Sequence, residues 1–535
     1  MSPLLPLGLL IVGAGALTIG VFPRFRFTGL IAVSAALASL LTLLVAAFRL
    51  PVSATLSQWE PASLFPHSLM LELDPLAWLF AAAMVTVTLA TLLTGVARPG
   101  GRRIVVRGAM LLTTFAGMAA VFADNLLTRV MAWAGLDLIY FLALILLARS
   151  EGLESQAVLH LSFNSIGTLL ALAAAVLISR ESATLSLHDA ALTSQSTLVI
   201  TLAVVFRLGL FPLHLALPAE ANIRQGLGTL LRLVPAAVAL ETLGRLAAFG
   251  FASPARPWLV LFGCAAALVG AVQLWNIADP RQGLTYLIIA HSGLALLTGL
   301  VSAQASVALT AQALTLLFGG ALVFLSNGYD EQRPRQMALP LLGAGALLGL
   351  PLTTGFVGWG GLYGGLLDSR SWLVLVAVLV AHLILAAGLW RATLWPGQPL
   401  EGEPLARTSY FAGLILPGAM LMLMAVLATT RWMGTPPAGP LGFSTGSVVP
   451  LLLVILAVSG GFGVWRFESG LRARVEAVGN PLLALIRLDW LYQLVWNIIR
   501  ALGWIIHNIA GVLEGEGAVL WALVAAILAW VLLKH

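Results

Sequence analysis

Eight ionisable side chains inside long apolar runs of this 535-residue chain are candidates for chemistry. They are Asp137, Arg207, His214, Arg232, Glu241, Arg245, His291 and His382, with Arg129 near the end of a run. An ionisable group inside a membrane span costs about 3 kcal/mol or more, so each is a candidate for a proton or ion path by default. A carboxylate such as Asp137 exchanges protons. Arginine stays charged; Arg207 can bias its neighbours but cannot hand a proton onward. Histidine titrates near neutrality, which suits His214 and His291 as relays. Glu241 and Arg245 stand four residues apart on one helix face; they either serve a path with Arg232 nearby or simply neutralise each other. His160 and His382 are lone histidines on apolar helices, where a core role is commoner than a relay. The only lysine is Lys534, beside the C-terminus, so no span offers a lysine as proton carrier.

The helices that must hold these groups carry their own signals. Arg207 lies in VVFRLGLFPLHLALP, where Pro212 and Pro218 interrupt the helix and free backbone carbonyls. Charge beside a broken helix at mid-membrane is how ion pathways are built. A second interruption falls at GLPLTTGFVGW around Pro351, where the polar groups are threonines.

Composition sets the surroundings. Hydrophobic residues make up 60% of the chain and charged residues 9%, against about a quarter charged in a water-soluble protein. Roughly sixteen apolar runs, each near the ~20 residues needed to cross a bilayer, recur from end to end. They start near Pro3, Thr28, Leu76, Arg107, Leu126, Ala157, Thr197, Leu227, Trp258, Leu284, Ser306, Ala338, Trp372, Tyr410, Val448 and Ala518. The +6 net charge comes from arginines in short loops. Membrane topology explains them, and no nucleic-acid partner is expected. Arginine-rich loops alternate with arginine-poor ones, which puts the N-terminus and the Leu50–Leu73 loop outside the cytoplasm. No basic segment precedes the first run, so it does not read as a signal peptide. The single cysteine, Cys264, rules out a disulfide framework or a cysteine-held cluster. Loops are short, without phosphate-binding, zinc or nucleophile motifs, which sets soluble-enzyme readings aside.

Three regions follow: N-terminal spans at 1–104, a helix-dense core at 105–395, and C-terminal spans at 396–535. Within the last, Leu488, Leu491, Val495, Ile498, Leu502 and Ile505 recur at helical spacing, with Gln493, Asn497, Arg500 and His507 near the opposite stripe. This two-faced segment, about 481–512, is expected to lie along a membrane surface or against partner helices before the final span.

Several stretches resemble the proton-conducting antiporter family, which includes the antiporter-like subunits of complex I, of membrane-bound hydrogenases and of Mrp-type antiporters. LDPLAWLF is similar to the start of its third helix and FADNLLTRVMAW to the entry of its fifth. FRLGLFPLHLALP resembles its broken seventh helix, and DPRQGLTYLIIAHSGLALLTGL its tyrosine–serine–histidine–glycine helix. FGGALVFL and GLPLTTGFVGW resemble its eleventh and twelfth helices. The matches come in the family's order over roughly residues 70–395. The resemblance implies an all-α polytopic membrane fold: about fourteen core transmembrane helices with two broken helices in pseudo-symmetric repeats. It also implies a C-terminal lateral-type helix and a last span. Asp137 then stands at or one turn beyond the family's fifth-helix glutamate, Arg207 replaces the seventh-helix lysine, and Arg232 falls near the eighth-helix polar position. The eleventh-helix lysine falls on Gly320, and the twelfth-helix lysine or glutamate on Trp359, so the second half of the path has lost its charges.

The expectation is a membrane subunit of a complex I-like ion-translocating oxidoreductase, working with other membrane subunits in the lipid bilayer of a bacterial or archaeal cell. The chain itself is expected to be non-catalytic and to hold no cofactor. The alternatives are a non-conducting, anchoring subunit of such a complex, and a subunit of an Mrp-like cation/proton antiporter.

Overall fold

The computed structural model describes residues 4–466, apart from connecting stretches of which 58–68, 211–224 and 428–447 are the longest, and part of residues 467–533. The helices are α1 (Leu4–Val21), α2 (Thr28–Ala46), α3 (Pro75–Thr94), α4 (Arg103–Phe122), α5 (Leu126–Leu147) and α6 (Glu151–Glu181). They continue as α7 (Ser194–Arg207), α8 (Gln225–Phe249), α9 (Arg256–Asn276), α10 (Leu284–Val301), α11 (Ala305–Phe324) and α12 (Ala338–Leu347). The series ends with α13 (Thr354–Asp368), α14 (Trp372–Thr393), α15 (Pro404–Leu427), α16 (Val448–Arg466) and α17 (Gly517–Leu533). Each expected apolar run coincides with a helix, and the run beginning at Ala338 divides into α12 and α13. Among the described residues, twelve helices are long and apolar enough to cross a membrane. The chain is an all-α integral membrane protein.

Residues 1–466 form one compact unit and residues 467–535 a second. The two-faced segment expected at 481–512 falls mostly outside the described residues. Its described positions, Gln493, Leu494, Asn497, Ile498, Arg500, Ala501, Gly503, Trp504 and Asn508, are helical and exposed.

Local chemistry fixes where the site-bearing helices begin. Asp74 caps α3, its Oδ1 accepting from the Ala77 amide at 2.7 Å, and Pro75 occupies the first helical position, where no amide is needed. Asn125 does the same for α5, accepting from Thr128 N at 2.8 Å. Thr193 and Ser196 close a reciprocal capping box on α7. The Leu50–Leu73 stretch, expected as a loop, contains an antiparallel hairpin of β1 (Val52–Ser57) and β2 (Leu69–Leu73). Met70 O accepts from Asp124 N at 3.2 Å, and Leu71 bridges Ala123. Leu185 O accepts from Leu126 N at 3.1 Å. The hairpin, the α4–α5 turn and the connection into α7 thus gather at one end of the bundle. Lipid gives helices no hydrophobic reason to associate, so close approach of small residues does much of the packing. At Gly270 on α9, an added Cβ would meet Ala290 N of α10 at 2.5 Å, one residue from His291.

Candidate functional site

Asp137 is the twelfth of 22 residues in α5, which places its carboxylate midway along that helix. Arg207 closes α7 and meets it with two parallel bonds, Nη1 to Oδ2 at 2.9 Å and Nη2 to Oδ1 at 2.8 Å. Both side chains are buried. Thr168 of α6 joins them, accepting from Arg207 Nη1 at 2.9 Å and donating to Asp137 Oδ2 at 3.3 Å. Trp133, one turn before Asp137, lies under the guanidinium at 4.4 Å. The approach of α7 to α6 depends on Gly167, where an added Cβ would stand 3.0 Å from both Ala203 O and Arg207 Cγ. This is the strong, fork-shaped form of an ion pair. As a unit it carries no net charge.

Glu241 and Arg245 bond each other along α8, but they are the middle of a longer row. Arg129 of α5 pairs with Glu241 and donates to Thr242 Oγ1 at 2.7 Å and Ala123 O at 3.0 Å. Arg245 spans to Asp74, with Nη1 on Oδ2 and Nη2 on Oδ1, each at 3.0 Å. The order Asp74, Arg245, Glu241, Arg129 alternates in sign, sums to zero, and is buried throughout. It ties α3, α8 and α5 together at the hairpin end. Arg232, two to three turns earlier on α8, is half-buried and within electrostatic reach of the Tyr140 phenol. His214 lies outside the described residues.

The second half is built differently. His291, on α10, is buried, and its Nε2 has no hydrogen-bond partner among the described residues. His382, on α14, is within electrostatic reach of it and fully enclosed. His382 Nε2 bonds Leu348 O at 3.2 Å and Nδ1 bonds the Tyr363 hydroxyl at 2.9 Å. A carbonyl only accepts, so Nε2 carries the proton, and Nδ1 of a neutral ring accepts from the phenol. Trp359 stacks on the imidazole with centroids 3.6 Å apart and planes 10° from parallel. Its indole donates to Leu347 O at 3.0 Å. The turn between α12 and α13 leaves these two carbonyls without helical partners, and an indole and an imidazole take them up. Gly320 sits among apolar groups: a Cβ there would lie 3.5 Å from Leu233 and 3.6 Å from Leu284. Neither Gly320 nor Trp359 offers charge.

The α12–α13 turn rests on Gly349, whose φ is +69°. A Cβ added there would stand 2.3 Å from Trp359 Cδ1. Gly349→Ala is therefore expected to cost about 1–3 kcal/mol from backbone strain alone, and to disturb the Trp359 stack. Unfolding in lipid nanodiscs, followed by tryptophan fluorescence, measures it; an unchanged midpoint would contradict the packing described.

Asp74 had no signal marking it as part of an ionic row, since capping alone explains an aspartate before proline. Tyr363, Thr168 and Trp133 read as ordinary helix residues until α13, α6 and α5 are packed.

Solved structures share this architecture. A chain of the Mrp complex from Dietzia sp. DQ12-45-1b superposes with a TM-score of 0.82 at 20% identity, over 99% of this chain and 62% of that one. This chain thus spans about three fifths of that chain's length. A chain of the membrane-bound sulfane sulfur reductase, an archaeal respiratory membrane complex, gives 0.74 at 16% identity over the full length of both. A chain of respiratory complex I from Thermus thermophilus, with bound aureothin, gives 0.61 at 21% identity over 79% of this chain and 98% of that one. No family model and no curated protein matches the sequence. At these identities the likeness is one of fold: this chain has the antiporter-like subunit fold found in membrane complexes.

Proposed function

We propose that this chain is a membrane subunit of a multisubunit, ion-coupled complex resembling complex I, with Asp137 and Arg207 as an electrostatic switch pair. The observation that carries the reading is the buried, two-pronged pair halfway along α5. Two charges taken from water into a helix bundle are expensive, and packed apolar side chains would hold α5 to α7 as well. When the fork opens, Asp137 takes up a proton; when it closes, Arg207 expels that proton by restoring the ion pair. Arg207 itself keeps its charge throughout. His291, with a free ring nitrogen, and His214 serve as relays. α12 with α13 acts as one interrupted span; the break expected at Pro212 and Pro218 lies outside the described residues. The N-terminus faces away from the cytoplasm, and redox chemistry belongs to partner subunits.

A second reading, a subunit that anchors neighbours without conducting, is favoured by the filled stack of Trp359, Tyr363 and His382. The long superposition on the Mrp chain favours a third, a cation/proton antiporter subunit. Proton translocation by the purified complex in liposomes tests the first against the second. Asp137→Asn and Arg207→Ala are each expected to reduce it at least tenfold, and unchanged translocation in both would end the switch reading. Mass spectrometry of the intact complex separates the first from the third, through redox subunits in one case and small hydrophobic antiporter subunits in the other.

A further inference from the structure

From Gln156 to Thr168, α6 carries a polar side chain at every fourth position: Gln156, His160, Asn164 and Thr168. Residues four apart form one ridge of a helix, rising about 6 Å per step. α6 packs against both α5 and α7. The last member, Thr168, hydrogen-bonds both Asp137 and Arg207. Asn164 and His160 are buried and bonded, Nδ2 to Nε2 at 2.8 Å. The His160 ring stacks on Tyr140 with centroids 3.9 Å apart, and Tyr140 lies one turn beyond Asp137 on α5. At the Glu151 end, the Oε1 of Gln156 is buried without a hydrogen-bond partner among the described residues.

Polarity stops at the ion pair. Beyond Thr168 the buried positions of α6 are Ala171, Ala174, Ala175 and Ile178. A ridge needed only for packing has no reason to be polar on one side of Asp137 and apolar on the other, because buried polar groups are costly in lipid.

We propose that this ridge is a water-bearing path that delivers protons from the Glu151 end of α6 to the Asp137 carboxylate, a role that rests on the switch reading of Asp137 and Arg207. The Gln156 and Asn164 amides and the Thr168 hydroxyl hold water in file. His160 takes a proton on one ring nitrogen and releases one from the other. The proton comes to rest on an Asp137 oxygen as Arg207 withdraws from it.

Thiol chemistry tests the path on the full chain in proteoliposomes. In a Cys264→Ala background, single cysteines are exposed to methyl methanethiosulfonate, which reacts with the ionised thiol and hence where water reaches. Gln156→Cys, His160→Cys and Asn164→Cys are expected to react at least tenfold faster than Val158→Cys, Ile166→Cys and Ala171→Cys. Equal rates at Asn164→Cys and Ala171→Cys would overturn the path. Translocation by the complex then tests delivery, using His160→Phe, which keeps a ring against Tyr140. A tenfold or larger fall supports the role. Full activity in His160→Phe while Asp137→Asn is inactive overturns the relay alone. Full activity in Asp137→Asn overturns the switch reading and delivery together, whatever the thiol pattern.

Discussion

Glu241→Ala is expected to lower the free energy of unfolding by at least about 3–5 kcal/mol, the usual cost of removing one partner of a buried ion pair. Glu241 stands between two guanidinium groups and is wholly buried. Without it, Arg245 keeps Asp74, but among the described residues Arg129 retains only Thr242 and the Ala123 carbonyl, neither of them charged. Two like charges then face each other with no carboxylate between them. Glu241→Gln keeps an acceptor of the same shape and is expected to fall between the unaltered protein and Glu241→Ala. The Asp279–Arg281 pair supplies the contrast. Both its side chains are substantially exposed, and Asp279→Ala is expected to change stability by less than about 1 kcal/mol. Denaturant unfolding in nanodiscs measures all three. A Glu241→Ala loss no larger than that of Asp279→Ala would mean that the row contributes nothing to holding α3, α5 and α8 together.

The second large effect is the coupling between Asp137 and Arg207. Each single alanine variant leaves a buried, unpaired charge and is expected to cost about 3–5 kcal/mol. The double variant removes both charges and should cost clearly less than the sum, because neither remaining surface contains an ion without a partner. Thr168 remains to bond whichever partner survives, which softens the singles slightly. Strict additivity across the four proteins would mean that the fork makes no energetic difference to the fold. The same four proteins in the translocation assay separate stability from transport, since the double variant is restored in one respect and not in the other.

The helical membrane fold was legible because lipid imposes one rule along the whole chain: a span needs about twenty apolar residues. The hairpin escaped because its alternation, as in LMLEL, is short and lies between two far stronger signals. Asp137 and Arg207 stood out as charges in apolar runs, but nothing in their separation of seventy residues dictated a two-pronged bond. Glu241 and Arg245 had spacing that suggested mutual neutralisation, and the two do bond. Their further partners, Asp74 and Arg129, come from other helices, and single-helix periodicity cannot reveal a contact made by tertiary packing. The polar ridge on α6 was present as a four-residue repeat. It acquires meaning only when Thr168 is seen on the ion pair and Tyr140 against His160.

The alternating order of the ionic row has an electrical consequence. Asp74, Arg245, Glu241 and Arg129 together present no net charge, so a membrane potential exerts no net pull on them as a group. The closed fork of Asp137 and Arg207 is equally silent. Protonation of Asp137 would leave that fork with one positive charge, worth up to about 2.3 kcal/mol for every 100 mV it crosses. Voltage would then act on this part of the chain when the proton is aboard and release it when the proton leaves.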